Sequence, residues 1–196
     1  MCGRYYVDDD TAKEIEKLVQ NLDQSIKINR TGDIFPSQKA AVLRESETGL
    51  ALDAMEWGFP KFDGKGLLIN ARSETALERK SFRDSIRQRR CIIPAKGFYE
   101  WNEKKEKFSY ERKDMRVLFM AGCYKRYQTQ DCFVILTTEA NTSVSNVHDR
   151  MPLILHPDEL ESWILDDQVT EYLLHKIPPL LAVHAEYEQL SFFSES

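Results

Sequence analysis

Apolar positions along the chain fall into short alternating or continuous runs, which predicts many strands. A hairpin is predicted from residues 39–45 and 50–57 around the polar turn at 46–49. Further strands are predicted at residues 3–7, 67–72, 90–93, 96–102, 107–112, 116–126, 132–138 and 153–155. Since helical patterns occur only at separated places between these strands, we expect an α+β fold with a mainly antiparallel sheet.

Helical spacing of apolar residues occurs in a few segments. Asp8, Asp9 and Asp10 favour a helix start, and the apolar positions that follow extend the pattern to about residue 22. Other helices are predicted at residues 75–88, 157–165 and 170–177, with a helical turn at 141–147. Residues 23–37 are expected to form a polar connection, and the tail from residue 180 is expected to be extended.

Length and composition indicate one domain, residues 1–196, with 42% apolar residues to form its core. No stretch approaches the roughly 20 apolar residues of a membrane span, and the start lacks a secretory pattern, so a cytoplasmic protein without membrane contact is expected. The four cysteines form no CxxC pair, so neither a metal site nor a cofactor is predicted. We expect a monomer.

The net charge of −5 by itself argues against binding to nucleic acid, but the charges are distributed unevenly along the chain. Residues 72–126 contain 16 basic and 8 acidic side chains, whereas the rest of the chain contains 11 basic and 24 acidic ones. A basic middle region is what a phosphate-binding face requires, although a solvated surface with scattered lysines explains it equally well.

Cys2 directly follows the initiator Met1. Because the cysteine side chain is small, we expect Met1 to be removed, which would leave a thiol and a free α-amine on adjacent carbons. Such an aminothiol condenses with an aldehyde first to a Schiff base and then to a five-membered thiazolidine. With typical pKa values of about 8 for the amine and about 8.5 for the thiol, both groups are expected to be partly reactive near neutral pH.

Four short motifs occur in order along the chain. They are Met1-Cys2-Gly3-Arg4-Tyr5, Ile69-Asn70-Ala71-Arg72-Ser73-Glu74-Thr75, Gly97-Phe98-Tyr99-Glu100-Trp101 and His148-Asp149-Arg150-Met151-Pro152. Together with Trp57-Gly58, this set closely resembles the SOS-response-associated-peptidase (SRAP) family over roughly residues 2–165. The resemblance implies a mainly antiparallel, barrel-like core with flanking helices. It also implies binding to abasic sites in single-stranded DNA and a thiazolidine crosslink through the N-terminal cysteine.

The resemblance implies catalytic roles for Cys2, Glu100, His148 and Asn70. Glu100 lies between two aromatic residues, where partial burial would raise its pKa toward that of a general acid or base. His148 can donate to a sugar or phosphate oxygen and exchange protons near pH 7. Asn70 has both a donor and an acceptor with which to orient the opened sugar or the amine.

Contacts with DNA are expected from Arg4, Arg72, Trp101, Arg150 and Pro36. The arginines suit phosphate recognition, and Trp101 suits stacking on bases. Trp57 is predicted to be a core residue instead. The segment at residues 32–36 departs from the family pattern, because Asp33 replaces an asparagine and adds negative charge where phosphate is expected.

Two other functions agree with the same residues. One is a Cys2-dependent peptidase that acts on itself, removing Met1, or on other proteins. The other is a noncovalent module that binds single-stranded nucleic acid through the basic region while Cys2 plays no part. Within the abasic-site hypothesis, the Schiff base could also eliminate and cut the strand, which is a lyase outcome.

Overall fold

Fifteen strands and four α-helices make up the described part of a computed structural model, which covers residues 2–18, 31–47 and 49–186. The strands are β1 Tyr5–Val7, β2 Gly32–Ile34, β3 Lys39–Ser46, β4 Gly49–Trp57, β5 Phe59–Pro60, β6 Leu67–Leu68, β7 Asn70–Arg72, β8 Arg90–Ala95, β9 Gly97–Trp101, β10 Lys107–Arg112, β11 Leu118–Tyr127, β12 Gln130–Glu139, β13 Arg150–Pro152, β14 Ile154–Leu155 and β15 Leu181–Glu186. The helices are α1 Asp9–Leu18, α2 Arg83–Gln88, α3 Leu160–Leu165 and α4 Thr170–Leu174, with 3₁₀ turns at Ser73–Thr75 and Pro157–Glu159.

The larger sheet closes into a barrel-like ring. Pairing runs from β12 to β4, β3, β8 and β11 and returns to β12, because β12 pairs with both β4 and β11. All pairings in this ring are antiparallel except that between β12 and β4, which joins Cys132 to Glu56 and Phe133 to Trp57. The α+β class and the mainly antiparallel sheet predicted from the sequence are therefore confirmed.

A second sheet of five strands has the order β15-β10-β9-β1-β2, with every pairing antiparallel. The N-terminal strand β1 thus lies inside this sheet, between β2 and β9. Tyr5 is opposite Ile34 on one side and Phe98 on the other. This placement holds the start of the chain at a defined position beside β9.

Strands β8, β11 and β12 of the ring are buried on both faces over most of their length, which explains their nearly continuous apolar runs. On β8, Ile92 packs in a cluster with helical residues such as Trp163, whereas Cys91 and Ile93 pack in a second cluster with residues of the five-stranded sheet. Successive side chains of a strand point to opposite faces, so one short run contributes to both clusters. Cys2 belongs to the second cluster, together with Tyr5.

Two predictions of local structure are wrong. The helix predicted at residues 75–88 is a 3₁₀ turn and further turns followed by the short helix α2, because Leu77 and Phe82 are five residues apart and do not continue one helical face. The polar connection predicted at residues 23–37 contains β2, which buries only Ile34 and depends on pairing with β1. Residues 19–30, and with them the predicted end of the first helix, lie outside the described residues.

The other helical predictions are confirmed in outline. The segment at residues 157–165 begins as a 3₁₀ turn and continues as α3, and that at 170–177 contains the shorter α4. The His148–Pro152 motif ends in the short strand β13. In the described ranges, no helix has the length and apolar character needed to cross a membrane.

Candidate active site

Cys2 lies just before β1, beside the end of β9. The backbone N–H of Tyr99 donates to the carbonyl of Arg4 at 3.0 Å, which continues the antiparallel register beyond Tyr5. Further along the same register, the chain at Cys2 approaches the segment that contains Glu100. Cys2 has no solvent-exposed surface.

Burial strongly affects the Cys2 thiol. It raises the pKa of Cys2 well above its ordinary value, and the nearby negative charge of Glu100 raises it further. The sulfur is 3.8 Å from the carbonyl oxygen of Arg4, the acceptor of a weak S–H hydrogen bond. Burial thus opposes ionisation of the Cys2 thiol, and a base must take the thiol proton when the sulfur reacts.

Glu100 lies on β9 with 3% of its surface exposed. Burial raises its pKa to about 7, so both protonation states are available near neutral pH. The elevated pKa agrees with the expectation from its aromatic neighbours in sequence. Its charge acts on the Cys2 thiol, so the two groups are electrostatic neighbours. A carboxylate with these properties can accept and return protons beside a reacting sulfur.

Asn70 reaches this centre from the other sheet. It begins β7, which runs parallel to β12 with Asn70 opposite Ile135. Its side-chain N–H donates to the carbonyl oxygen of Cys2 at 2.9 Å. The side-chain oxygen of Asn70 is buried and has no hydrogen-bond partner among the described residues. Asn70 therefore holds the Cys2 backbone and keeps an acceptor available.

The segment with His148 lies along the same strand. β13, which follows His148, pairs with β12 at residues 137–139, directly beyond the stretch of β12 that pairs with β7. Arg150 on β13 donates to both carboxylate oxygens of Glu74 at 2.8 and 2.9 Å. Because Glu74 follows β7 in the chain, this ion pair ties the His148 segment to the Asn70 segment.

Nδ1 of His148 makes two contacts that require opposite states of this atom. It must lack a proton to accept a hydrogen bond from a backbone N–H, and it must carry a proton to donate to a carboxylate. Nδ1 is 2.9 Å from the backbone N of Arg150 and 2.8 Å from a carboxylate oxygen of Asp149. Burial lowers the pKa of His148, which favours a neutral ring. Since the backbone N–H is a fixed donor, Nδ1 accepts from it, and the proton of the neutral ring resides on Nε2. His148 is then a hydrogen-bond donor through Nε2.

Two tyrosines that sequence reasoning did not select lie near the centre. The hydroxyls of Tyr5 and Tyr110 are buried and have no hydrogen-bond partner within the described ranges. Burial raises the pKa of Tyr110 to about 12, with a further contribution from the charge of Glu100. Tyr5 belongs to the first motif, but nothing in the sequence near Tyr110 marks it. Both hydroxyls remain protonated donors at neutral pH.

Several predicted DNA contacts form a separate cluster. The guanidinium carbon of Arg4 lies 4.5 Å from the ring centre of Phe35 and 5.0 Å from that of Trp101. Its Nη1 is 3.6 Å from a carboxylate oxygen of Asp33. Pro36 follows Phe35 in a tight turn closed by a hydrogen bond between Gln38 N and Phe35 O. Arg4, Trp101 and Pro36 therefore lie near one another.

The other predicted contacts differ in exposure. Arg72 is exposed at the end of β7, where a phosphate can reach it. The Arg150 side chain is only 11% exposed and also donates to the carbonyl of Thr137. Its geometry supports positioning of the His148 segment more than contact with DNA. Trp57 is fully buried and donates to the carbonyl of Ile69, as the core prediction requires.

Comparison with known proteins places the chain in a family. The model of the family described as SOS response associated peptidase (SRAP) matches residues 1–191. The chain belongs to the SRAP family. Its four motifs meet in pairs in the structure: the first and third adjoin on β1 and β9, and the second and fourth flank β12.

Named SRAP relatives cover most of the chain. The abasic site processing protein YoqW of Bacillus subtilis is 30% identical over 209 residues, covering 97% of this chain and 92% of YoqW. The abasic site processing protein YedK of Escherichia coli is 30% identical over 176 residues, covering 84% and 79%. A crystal structure of a protein from Bacteroides thetaiotaomicron has the same fold, with a TM-score of 0.82 at 24% identity, covering 95% of this chain and 93% of that one.

Proposed function

We propose that this protein binds abasic sites in single-stranded DNA and traps their aldehyde on Cys2 as a thiazolidine. The observation that carries the proposal is the register of β1 and β9, which brings Cys2 beside the strand end that holds Glu100. A buried thiol lies beside a buried carboxyl group whose pKa is about 7, while Asn70 holds the Cys2 backbone. The names of the relatives YoqW and YedK support the abasic site as the substrate.

The first step opens the closed abasic sugar. Ionised Glu100 takes the proton of the C1′ hydroxyl as the C1′–O4′ bond breaks. The departing O4′ accepts a hydrogen bond from the Nε2–H of His148 and takes a proton from the Cys2 ammonium group, which becomes the free amine. The tautomer supported by the Arg150 N–H is the one that this role requires. Three buried groups without hydrogen-bond partners among the described residues are available to bind the opened sugar: the side-chain oxygen of Asn70 and the hydroxyls of Tyr5 and Tyr110.

The second step joins the aldehyde to the α-amine. With Met1 removed, the Cys2 amine attacks C1′ and gives a carbinolamine. Protonated Glu100 returns its proton to the C1′ oxygen, which leaves as water, and the nitrogen and C1′ form an iminium. Glu100 is again a carboxylate beside the thiol, as the last step requires.

The third step closes the ring. The Cys2 sulfur attacks the iminium carbon while its proton passes to Glu100, and the C=N electron pair returns to nitrogen. One aldehyde and one aminothiol thus give one thiazolidine and one water. Because the thiol loses its proton only as the C–S bond forms, the raised pKa of Cys2 does not prevent reaction.

Ring closure also distinguishes this function from its alternatives. A lyase would remove a C2′ proton from the iminium and cut the strand, whereas attack by the adjacent sulfur consumes the iminium first. A peptidase, including one that removes Met1 by the same thiol, must attack an uncharged amide carbonyl, which is a much weaker electrophile than an iminium cation. Burial, which keeps the Cys2 thiol protonated, is therefore a greater obstacle to that reaction. We therefore favour abasic-site capture by a monomer over proteolysis.

Crosslinking to an abasic oligonucleotide tests the proposal. A uracil-containing single strand treated with uracil-DNA glycosylase should give a heat-stable adduct on a denaturing gel. Cys2→Ala should give none, while Cys132→Ala, a cysteine on β12, should crosslink like the wild type. An undiminished heat-stable adduct with Cys2→Ala would refute capture by Cys2, and strand cleavage without an adduct would favour the lyase.

A further inference from the structure

We propose that Asp33 limits the affinity of this protein for undamaged single-stranded DNA, because its carboxylate occupies Arg4 in place of a DNA phosphate. The inference rests on the proposed function, since it assigns Arg4 to phosphate binding. Asp33 is then an affinity- and specificity-determining residue. The proposed mechanism assigns no proton transfer and no bond formation to Asp33.

The ion pair between Asp33 and Arg4 is accessible to DNA. Their closest charged atoms are 3.6 Å apart, and the side chains are 31% exposed for Arg4 and 34% exposed for Asp33. A phosphate that approaches Arg4 therefore meets the carboxylate at the same guanidinium. To bind Arg4, the phosphate must either displace the Asp33 carboxylate or lie close to it. Loss of the existing ion pair in the first case and repulsion between two negative charges in the second both reduce the binding free energy.

The surroundings prevent either partner from moving away easily. The guanidinium carbon of Arg4 lies 4.5 Å from the ring centre of Phe35 and 5.0 Å from that of Trp101, and these two cation–π contacts restrain its position. The Tyr99 hydroxyl donates to Asp33 at 3.2 Å, and the Tyr99 ring stacks on Tyr6 with centroids 4.8 Å apart. The carboxylate is thus held where it competes with phosphate.

This arrangement favours lesions over intact strands. An undamaged strand has only noncovalent contacts, so a weakened phosphate contact shortens its stay on the protein. An abasic strand is captured covalently once it reaches Cys2, and that bond does not depend on Arg4. Weak phosphate binding at Arg4 therefore reduces covalent capture of a lesion only a little, whereas it speeds dissociation of the protein from intact DNA.

Asp33→Asn tests the inference, because asparagine keeps an acceptor oxygen for Tyr99 while removing the charge. The dissociation constant for an undamaged oligonucleotide should fall roughly two- to fivefold, the range expected for one exposed ion pair. The slope of log affinity against log salt should steepen by up to ~0.7, the value for one phosphate contact on a single strand. Both quantities can be measured by fluorescence anisotropy at several salt concentrations.

Two controls separate competition for Arg4 from a general change in charge. Asp10→Asn on α1 also removes an aspartate that pairs with a surface cation, Lys13 at 3.3 Å, and should have a smaller effect. In an Arg4→Ala background, Asp33→Asn should no longer tighten binding. Thermal melting confirms that each variant is folded.

The outcomes are decisive in either direction. Unchanged or weaker binding by Asp33→Asn would overturn the inference, since Asp33 would then be neutral or would orient Arg4 for phosphate. A gain equal to that of Asp10→Asn, or one that persists without Arg4, would also overturn it. These readings use undamaged DNA, so they are independent of crosslinking: failure of the wild type to crosslink abasic DNA would instead refute the proposed function.

Discussion

At the scale of single residues, burial determines the chemistry of the site. It raises the pKa of both Cys2 and Glu100, so the thiol keeps its proton while the carboxyl group can hold or release one near neutral pH. A protonated sulfur beside a carboxylate suits a reaction in which the proton moves only as the bond forms. The same burial would make Cys2 a poor nucleophile for attack on a peptide.

Glu100→Gln should slow adduct formation by about 10²-fold or more at pH 8, the usual scale for loss of a general base. Its carboxylate form acts as the base, so the ratio of the wild-type rate to the variant rate should rise with pH through about 7 and then level off. Titration of the α-amine is measured separately for each protein, because loss of the Glu100 charge also changes the pKa of a nearby amine. Single-turnover crosslinking over a series of pH values measures the rate ratio.

The control for Glu100→Gln is affinity for an undamaged single strand, which should change little. If the variant instead lost affinity as strongly as Arg72→Ala while its rate at saturating DNA stayed normal, Glu100 would be a structural residue. A rate ratio independent of pH would contradict its assignment as the base.

Sequence reasoning identified much of the residue chemistry but could not identify its environment. Motifs pointed to Cys2, Glu100, Asn70 and His148, and the aromatic neighbours of Glu100 indicated its raised pKa. The complete burial of Cys2, which raises the pKa of its thiol, was not predicted, because it depends on the packing of two sheets. Tyr110 was missed for a related reason: its position in the core is set by strands distant in sequence.

At the scale of elements, β12 organises one side of the site. One edge of β12 pairs with β7, which begins at Asn70. The other edge pairs with β13, which follows His148. The ion pair between Arg150 and Glu74 joins the two flanking segments. We therefore expect Arg150 to position His148, whereas exposed Arg72 remains available for phosphate.

Arg150→Ala should affect stability and crosslinking, whereas Arg72→Ala should affect the salt dependence of DNA binding. Loss of Arg150 leaves the Glu74 carboxylate without its partner and should destabilise the fold by about 1–3 kcal/mol, with slower crosslinking and an unchanged salt slope. Loss of Arg72 should flatten the salt slope by ~0.7 and leave the melting temperature unchanged. Calorimetry and salt-dependent anisotropy distinguish the two. A flattened slope with Arg150→Ala would show that Arg150 contacts phosphate after all.

Elements with strong local patterns were predictable, whereas those that depend on pairing were not. The hairpin of β3 and β4 follows from alternating residues around a polar turn, and its register has Ser46 opposite Gly49. β2 has a polar sequence and exists through its pairing with β1. The turns before α2 interrupt a segment whose composition favours a helix, because its apolar residues do not lie on one face.

At the scale of the whole molecule, the proposed reaction centre lies where the two sheets meet. The five-stranded sheet provides Cys2 and Glu100, and the barrel-like sheet provides Asn70, so neither sheet forms the site alone. The class of fold was predictable from the order of elements. The barrel-like core was predicted from the family resemblance alone and is confirmed, because closure depends on β12 pairing with both β4 and β11, which no local pattern encodes.

The central claim is that Cys2 reacts through both its α-amine and its thiol. Intact-mass analysis of protein produced with its natural start and mixed with an abasic single strand tests it directly. The account predicts one adduct per chain, with the mass of the protein lacking Met1 plus the oligonucleotide minus one water, located at Cys2. A protein that retains an N-terminal tag should give no heat-stable adduct, because its amine is an amide. Full crosslinking by the tagged protein, or an adduct on another residue, would contradict the account.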